Sequence, residues 1–255
     1  MCHEPDSAPP IPVIAGAAVN HEDVVLNAAD GNAFATFVAT PGEPARAGVV
    51  ILPDVRGLYH FYEELALRFA ERGYAAVAID YFGRTAGVSK RDDDFSYMDH
   101  VMQTTPAGVQ ADVGAAVEHL RSLGVQSVFT VGFCFGGRNS WLSSAGGHDL
   151  AGAIGFYGMP GERNGDAGPI GAVEQMTAPI LALQAGADAH IGADVNAAFE
   201  EALSAAGVEH EIVSFEGAPH SFFDRLHEEF QAASDDAWQR TLSFIDAHTA
   251  ARAGV

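Results

Sequence analysis

The sequence predicts an α/β fold with a mostly parallel central sheet, helices on both faces and an N-terminal antiparallel hairpin at one edge. Six short, mostly apolar runs have the character of strands that are buried on both faces. Helical stretches separate most of these runs, and such alternation is typical of a largely parallel sheet. The first two strands differ, because a glycine-bearing turn joins two stretches of alternating polarity.

The predicted elements follow one another without a charged or proline-rich linker. The hairpin strands lie at 19–27 and 33–39, around the turn Asp30-Gly31-Asn32. The buried strands are predicted at 47–52, 75–79, 127–131, 152–156, 180–184 and 210–215. The helices are predicted at 60–72, 106–123, 137–145, 192–206 and 228–250. Because the chemistry of such sheets lies at the carboxyl ends of the strands, the loops there are the places to search.

Composition and charge narrow the possible partners. The chain has 255 residues, read as an irregular arm over 1–18 and a single domain over 19–255. Its 13 basic and 34 acidic residues give a formal net charge of −21, which excludes nucleic acid and anionic membranes as expected partners. Two cysteines, no secretory signal and no apolar run of about 20 residues favour the cytoplasm. Cys2 and His3 make only a weak metal pair, so no metal is predicted.

A cysteine stands where a strand is predicted to turn into a helix. The segment Gly132-Phe133-Cys134-Phe135-Gly136 is the nucleophile-elbow pattern with cysteine in the place of serine. Glycines two residues before and after the nucleophile keep side chains away from the neighbouring strand and helix. The helix N-terminus lowers a thiol pKa, and the backbone N–H of Phe135 is a predicted oxyanion donor. The alternative is an inert buried cysteine.

An acid and a histidine each follow one of the later strands. Asp188 and His220 come after Cys134 in the order nucleophile, acid, histidine, which is that of the α/β-hydrolase triad. The three are therefore the predicted catalytic residues. Taken singly, Asp188 could be a helix N-cap and His220 an ordinary loop histidine. His190 is a rival base, although it precedes a helix rather than closing the loop of the last strand.

The loop after the first buried strand is the expected place of a second oxyanion donor. The backbone N–H of Val55 is predicted to act beside that of Phe135. Asp54 in the same loop could simply cap a turn. Arg84 and Arg138 also lie near carboxyl ends of strands. Because the chain is so acidic, recognition of a substrate carboxylate would require a local arginine of this kind.

Six segments together carry a family resemblance: PDVRG (53–57), AAVAIDYFGR (75–84), GFCFGGR (132–138), GFYG (155–158), GAD (186–188) and GAPHSF (217–222). In them the chain resembles the dienelactone hydrolase (carboxymethylenebutenolidase) family of the α/β-hydrolase superfamily, over about residues 20–248. The resemblance implies the α/β-hydrolase fold, a Cys-His-Asp triad, hydrolysis of a lactone or ester, and no cofactor.

The resemblance also implies roles for residues around the triad. Asp54 stands where the family usually has Glu, a carboxylate that holds the thiol at rest and helps form the thiolate when an anionic substrate binds. Arg84 stands in the place of an arginine for the substrate carboxylate. A second such arginine usually lies four residues after the histidine, where this chain has Asp224. The other predicted substrate contacts are Arg138, Tyr157, Ser221, Phe222 and Arg225.

These inferences predict a cysteine-dependent hydrolase that works through an acyl-enzyme. The expected partner is a small-molecule ester or lactone, and whether that molecule is anionic is left open, as is the oligomeric state. Activated enol esters suit a thiolate nucleophile. Two other functions stay open: a promiscuous carboxylesterase or thioesterase with the same triad, and a non-catalytic protein that binds a ligand or senses redox state.

Overall fold

The computed structural model describes residues 8–92, 94–163 and 165–252. These residues form an eight-stranded sheet and the helices that cover it. The strands are β1 (Val19–Asn27), β2 (Ala33–Pro41), β3 (Ala47–Leu52), β4 (Tyr74–Ile79), β5 (Val128–Phe133), β6 (Gly152–Phe156), β7 (Ile180–Ala185) and β8 (His210–Phe215). Their order across the sheet is β1-β2-β4-β3-β5-β6-β7-β8. Strands β3 to β8 run parallel, whereas β1 and β2 form the antiparallel hairpin at one edge. The predicted fold class is confirmed.

The helices in the described residues are α1 (His60–Ala70), α2 (Gly83–Ala86), α3 (Tyr97–Val101), α4 (Pro106–Ser122), α5 (Phe135–Ser143), α6 (Gly168–Ala172), α7 (Ala193–Ala206) and α8 (Gln231–Arg252). The five long helices match the predicted ones. The short helices α2, α3 and α6 were not predicted, because so few residues cannot show a repeating apolar stripe. Helix α4 begins with Pro106 after Thr105, whose side chain accepts the N–H of Gly108 at 3.1 Å.

The side chains of β3 show how the sheet separates two layers of helices. Val49 and Ile51 pack on one face with residues of α1 and α8. Val50 and Leu52 point to the other face, where they pack with residues of α4. This alternation is the two-residue period of a strand, here with both faces apolar because both are covered.

Two elements differ from their predicted form. Strand β5 continues to Phe133, so α5 begins at Phe135 rather than at residue 137 and the turn between them is very tight. Strand β8 was predicted to be buried on both faces, but most of its side chains are partly or fully exposed. That prediction was wrong because β8 is the last strand of the sheet, where the covering layers of helices thin out.

The centre of the sheet places two loops side by side. From β3 the chain passes outward to β4 on one side, and it later returns to β5 on the other side. Leu52 at the end of β3 is paired with Gly132 of β5. Open α/β sheets bind ligands at the carboxyl ends of strands at such a reversal. The loop after β3 and the elbow after β5 are therefore neighbours.

The N-terminal arm has no helix or strand over residues 8–18, and Cys2 and His3 lie outside the described residues. The division into an arm and a single domain stays a prediction. Within the described ranges, none of the helices is long and apolar enough to cross a membrane. The same ranges contain no group of three or more His, Cys, Asp or Glu side chains that could hold a metal ion.

Candidate active site

The nucleophile candidate lies in a strained turn. Cys134 joins β5 to α5 with a φ of +55°, a left-handed value that is uncommon for any residue except glycine. Its N–H donates to the carbonyl oxygen of Phe156 in β6 at 3.0 Å, and its own carbonyl oxygen accepts the N–H of Arg138 at 3.2 Å. These bonds to β6 and α5 hold the conformation, as strained residues at functional sites require.

Two glycines leave the space that this turn needs. A Cβ atom on Gly132 would collide with the carbonyl oxygen of Gly136. A Cβ atom on Gly136 would collide with the carbonyl oxygens of Leu52 and Pro53 at the end of β3. A larger residue at either position would therefore push α5 away from the sheet and move the cysteine with it.

The thiol of Cys134 is free and half-buried. Cys134 occupies the N-cap position of α5, and its side chain makes no capping hydrogen bond there. Phe135 is the first residue of α5, so its N–H has no acceptor inside the helix. This N–H is therefore available to a ligand beside the sulfur.

A second available N–H lies in the loop after β3. The N–H of Asp54 donates to the hydroxyl of Tyr62 at 3.0 Å, and that of Arg56 donates to Oδ1 of Asp54 at 2.8 Å. Between them, the N–H of Val55 has no acceptor among the described residues. Val55 and Phe135, the residues of the two predicted oxyanion donors, line the same cavity.

The acid and the histidine are in direct contact. His220 Nδ1 lies 2.6 Å from Oδ2 of Asp188, although their positions in the chain are 32 residues apart. Asp188 follows β7 and its side chain is buried, whereas the side chain of His220 is 27% exposed. A buried carboxylate on Nδ1 fixes the imidazole tautomer, which leaves Nε2 for proton exchange.

Backbone donors keep Asp188 in its charged form. Burial acts to raise its pKa, but hydrogen bonds from His220 and from the N–H groups of His190 and Ile191 outweigh burial and lower the pKa. These two N–H groups bind the other oxygen, Oδ1, at 2.8 and 3.2 Å. His190, the rival base, thus contacts Asp188 through its backbone, while His220 contacts it through its ring.

A tyrosine packs against the histidine ring. The rings of Tyr157 and His220 lie 4.8 Å apart between centroids, and Tyr157 takes a φ of +38° just after β6. Its hydroxyl donates to Oδ2 of Asp224 at 2.8 Å. Ser221, next to the histidine, is buried with a φ of +66°. Phe222 is buried edge-on to Tyr157, at 5.6 Å between ring centroids.

Asp224 is a buried carboxyl group on the loop of the histidine. Burial raises its pKa well above its usual range, despite the hydrogen bonds from the backbone N–H of Arg225 and from Tyr157. The negative charge of Asp54 raises it further. Arg225 itself is exposed, and the hydrogen bond to Asp224 comes from its backbone.

Asp54 is fully buried near the thiol. Tyr81 donates its hydroxyl to the carbonyl oxygen of Pro53 at 2.8 Å, so its ring lies under the same loop. Burial raises the pKa of Tyr81 well above its usual value, and the nearby carboxylates of Asp54 and Asp80 raise it further. Asp54 and the phenol of Tyr81 thus lie close together beneath this loop.

The two predicted carboxylate-binding arginines lie in internal ion pairs. Arg84 contacts Oδ2 of Asp112 at 2.6 Å and Oδ2 of Asp30 at 2.7 Å. Arg138 is buried and donates to the carbonyl oxygen of Met159 at 3.0 Å, besides an ion pair with Asp166 at 3.3 Å. The sequence did not indicate these acidic partners, because each is distant in the chain or in an irregular segment.

A cavity of about 320 Å³ lies beside the elbow. Val55 and Phe135 line it, and apolar residues of α3 and the start of α4 form much of its wall. Pockets of this size and character are typical sites for small molecules. Sequence patterns did not predict this wall, because α3 has only five residues and is too short to show a periodic apolar stripe.

Comparisons with known proteins give a family match for this chain. The model of the dienelactone hydrolase family matches residues 34–249. A carboxymethylenebutenolidase of Rhodococcus opacus is 28% identical over 266 residues, which cover 96% of this chain and 96% of that protein.

Solved structures have the same fold. A Klebsiella pneumoniae structure, described provisionally as a dienelactone hydrolase, has a TM-score of 0.79 at 24% identity and covers 90% of this chain and 99% of its own. A dienelactone hydrolase-like promiscuous phosphotriesterase from metagenomic libraries has a TM-score of 0.75 at 21% identity, covering 90% of this chain and 98% of its own. These two structural similarities show the fold. The family model, in contrast, matches the sequence itself over residues 34–249. The chain therefore belongs to the dienelactone hydrolase family.

Proposed function

We propose that this protein hydrolyses ester or lactone bonds with Cys134 as nucleophile, His220 as general base and acid, and Asp188 as the group that orients the histidine. Membership of the dienelactone hydrolase family supports the reaction class. The observation that carries the residue roles is the 2.6 Å contact of His220 with Asp188, at the same end of the sheet as the cysteine elbow. The proposed substrate is a small molecule, and the reaction uses no other reactant than water.

The reaction would proceed in two steps. His220 takes the thiol proton, the sulfur of Cys134 attacks the carbonyl carbon, and the proton passes to the leaving oxygen as the ester bond breaks. Water then gives a proton to His220 and attacks the thioester, after which the carbon–sulfur bond breaks and His220 returns the proton to sulfur. An alcohol or enol leaves first and a carboxylic acid leaves second.

The negative oxygen of each tetrahedral intermediate needs donors in a fixed place. The N–H groups of Val55 and Phe135 are the proposed donors, since both residues line the cavity beside the elbow. One such donor typically raises kcat about 10²–10³-fold, and general acid–base catalysis raises the rate about 10²–10⁴-fold. A thiolate is a better leaving group than an alkoxide, so the tetrahedral intermediate of an ordinary ester tends to expel the sulfur again. Enol esters have a better leaving group and are therefore the proposed preferred class.

Asp54 is proposed to regulate the thiol. In this proposal, the fully buried carboxylate of Asp54 opposes the development of negative charge on the sulfur until substrate binds. When an anionic substrate takes over the interactions that hold Asp54, the Asp54 carboxylate would accept the thiol proton in place of His220 and leave a Cys134 thiolate paired with the histidine. The proton would then pass to the leaving oxygen as in the step above. The thiolate would then form only in the presence of substrate.

Asp54→Asn is expected to make alkylation of Cys134 faster at neutral pH and turnover of an anionic ester slower, because the repelling charge and the proton acceptor are both lost. Asp54→Glu, which restores the usual family residue, should keep both properties near wild type or improve turnover. The measurement is the pH dependence of iodoacetamide labelling, followed by intact mass. Identical profiles in wild type and Asp54→Asn, with unchanged turnover, would leave Asp54 as a turn cap only.

Trapping of the covalent intermediate tests the proposed function as a whole. Wild type is mixed with a para-nitrophenyl ester and quenched in acid within the first turnover. A mass increase equal to the acyl group should map to the peptide of Cys134, together with release of nitrophenol. Release without a mass increase in Cys134 would refute the acyl-enzyme. Neither release nor a mass increase, across neutral and anionic esters and lactones, would favour the non-catalytic alternative.

A further inference from the structure

The cavity beside the elbow is apolar over most of its wall. Met98, Val101 and Met102 come from α3 and the residues after it, while Pro106 and Val109 come from the first turns of α4. Methionine side chains adapt to irregular apolar ligands. Because Val55 and Phe135, the residues of the two proposed oxyanion donors, also line this cavity, one substituent of a substrate held at Cys134 would extend along this wall.

Three charged side chains stand among the described residues that line this cavity: Arg138, Arg163 and Asp166. Arg138 and Asp166 form an ion pair at 3.3 Å, and Arg138 also donates to the carbonyl oxygens of Met159 and Asp166 at 3.0 and 3.2 Å. The Arg138 side chain is 7% exposed, and both of its terminal nitrogens already have acceptors inside the protein. These two charges offset each other.

Arg163 is different. It is exposed, and its backbone is held in place by two hydrogen bonds with the backbone of Asp166, at 2.8 and 3.0 Å. Within the described part of the chain, its guanidinium has neither an acid within ion-pair distance nor a hydrogen-bond acceptor. The rim of the cavity thus carries one positive charge that is not balanced by an internal pair.

Arg84 offers no comparable charge. Two carboxylates, Asp30 and Asp112, lie within 2.7 Å of its guanidinium, and the Asp112 side chain is buried. An anion that bound Arg84 would have to displace one of them and leave it without its cation. Binding at Arg163 requires no such exchange.

We propose that Arg163 binds an anionic group at the far end of an amphipathic substrate, whose apolar part fills the cavity and whose ester carbonyl lies at Cys134. The substrate class is an ester or lactone with an extended apolar body and a terminal carboxylate. This inference rests on the proposed hydrolysis. It assigns the anion to the cavity rim rather than to an arginine at the scissile bond.

The expected effect follows from an arginine–carboxylate pair at an exposed rim. Such pairs are weak to moderate, so removal of Arg163 should raise KM for the anionic substrate about 3- to 10-fold. The value of kcat should change little, since the pair is the same in the ground state and the transition state. Added salt should reduce the difference, because the site is open to ions.

The test compares para-nitrophenyl hexanoate with the para-nitrophenyl monoester of adipic acid, which differ mainly in a terminal carboxylate. Rates are measured for wild type, Arg163→Ala and Arg163→Lys at low and high salt. Arg163→Ala should raise KM for the adipate ester with a much smaller change for the hexanoate ester. Arg163→Lys should restore part of the effect, since it keeps the charge but not the two-pronged geometry.

Two arginines serve as comparisons. Arg240 is partly exposed and pairs with Glu211 near the amino end of β8, at the opposite end of the sheet, so Arg240→Ala should alter neither KM. Arg84→Ala examines the rival anion site predicted from the sequence. A selective rise in KM with Arg84→Ala, and none with Arg163→Ala, would overturn the proposal in favour of Arg84.

A binding measurement separates this proposal from the proposed function. Cys134→Ala protein is titrated with the adipate ester in a calorimeter, with and without Arg163→Ala. Weaker binding in the double variant supports the anion site even if turnover is slow. Equal binding, or an equal KM change for both esters, overturns the anion site. Hydrolysis that persists in Cys134→Ala overturns the nucleophile assignment and leaves the binding result intact.

Discussion

Replacing Cys134 by alanine is expected to lower kcat/KM for an activated ester by about 10⁴-fold or more, since no other side chain in the proposal can form the acyl-enzyme. Alanine keeps the Cβ atom and removes one sulfur from a half-buried position, so the fold should remain. The measurement is initial rates on para-nitrophenyl butyrate, beside a thermal unfolding curve of each protein.

Cys134→Ser gives a sharper comparison, because it keeps the shape and changes the acidity. A hydroxyl is far less acidic than a thiol, so a site organised around a thiolate should lose most of its activity. The matched control is Cys2→Ala, which removes the other cysteine of the chain and should leave the rates unchanged. A folded Cys134→Ala protein with a near-normal rate would remove the nucleophile from its assigned position.

The second large effect concerns the pair His220 and Asp188. His220→Ala should lower turnover by about 10²–10⁴-fold or more, because proton transfer to and from the reacting groups is lost. Asp188→Asn should lower it less, by up to about 10⁴-fold, through the wrong tautomer of the histidine. The double variant should lose far less than the product of the two single losses, since the residues act as a unit.

The control for this cycle is the neighbouring histidine. His190 donates only its backbone N–H to Asp188, so His190→Ala keeps that bond and should change turnover by less than about twofold. Kinetics of all four proteins are measured across pH, with unfolding curves to confirm the fold. Losses that multiply, or a His190→Ala variant worse than His220→Ala, would mean that the wrong histidine has been chosen.

The sequence is most informative where sterics demand particular residues. The elbow was predictable because Gly132 and Gly136 are needed where a strand turns sharply into a helix, and the structure has Cys134 in that turn. The contact of Asp188 with His220 was predictable from the order of the residues and from their positions after β7 and β8. Parallel strands bring such loops to the same edge of the sheet.

The sequence is least informative where pairing depends on long-range contacts. It placed Arg84 near the site but could not show that Asp30 and Asp112 hold its guanidinium from elsewhere in the fold. Helix α3 was missed for a different reason: its five residues are too few for a periodic signal. Its role as a cavity wall depends on packing against α4 and the elbow, which the pattern of the segment itself does not contain.

The buried carboxyl group of Asp224 makes the stability of the histidine loop depend on pH. Its pKa is raised on folding, so between the unfolded value, about 3.9, and the folded value the native state holds a proton that the unfolded chain has released. Its contribution to stability is therefore lost as pH rises through that window.

Asp188 acts in the opposite sense. Its pKa is lowered on folding, so its contribution is present above the unfolded value and is lost as pH falls through the folded one. The two acids flank the same imidazole, one at Nδ1 and one behind Tyr157. Rising pH thus weakens the Tyr157 side of His220 while falling pH weakens the Asp188 side, and the loop is held best between the two transitions.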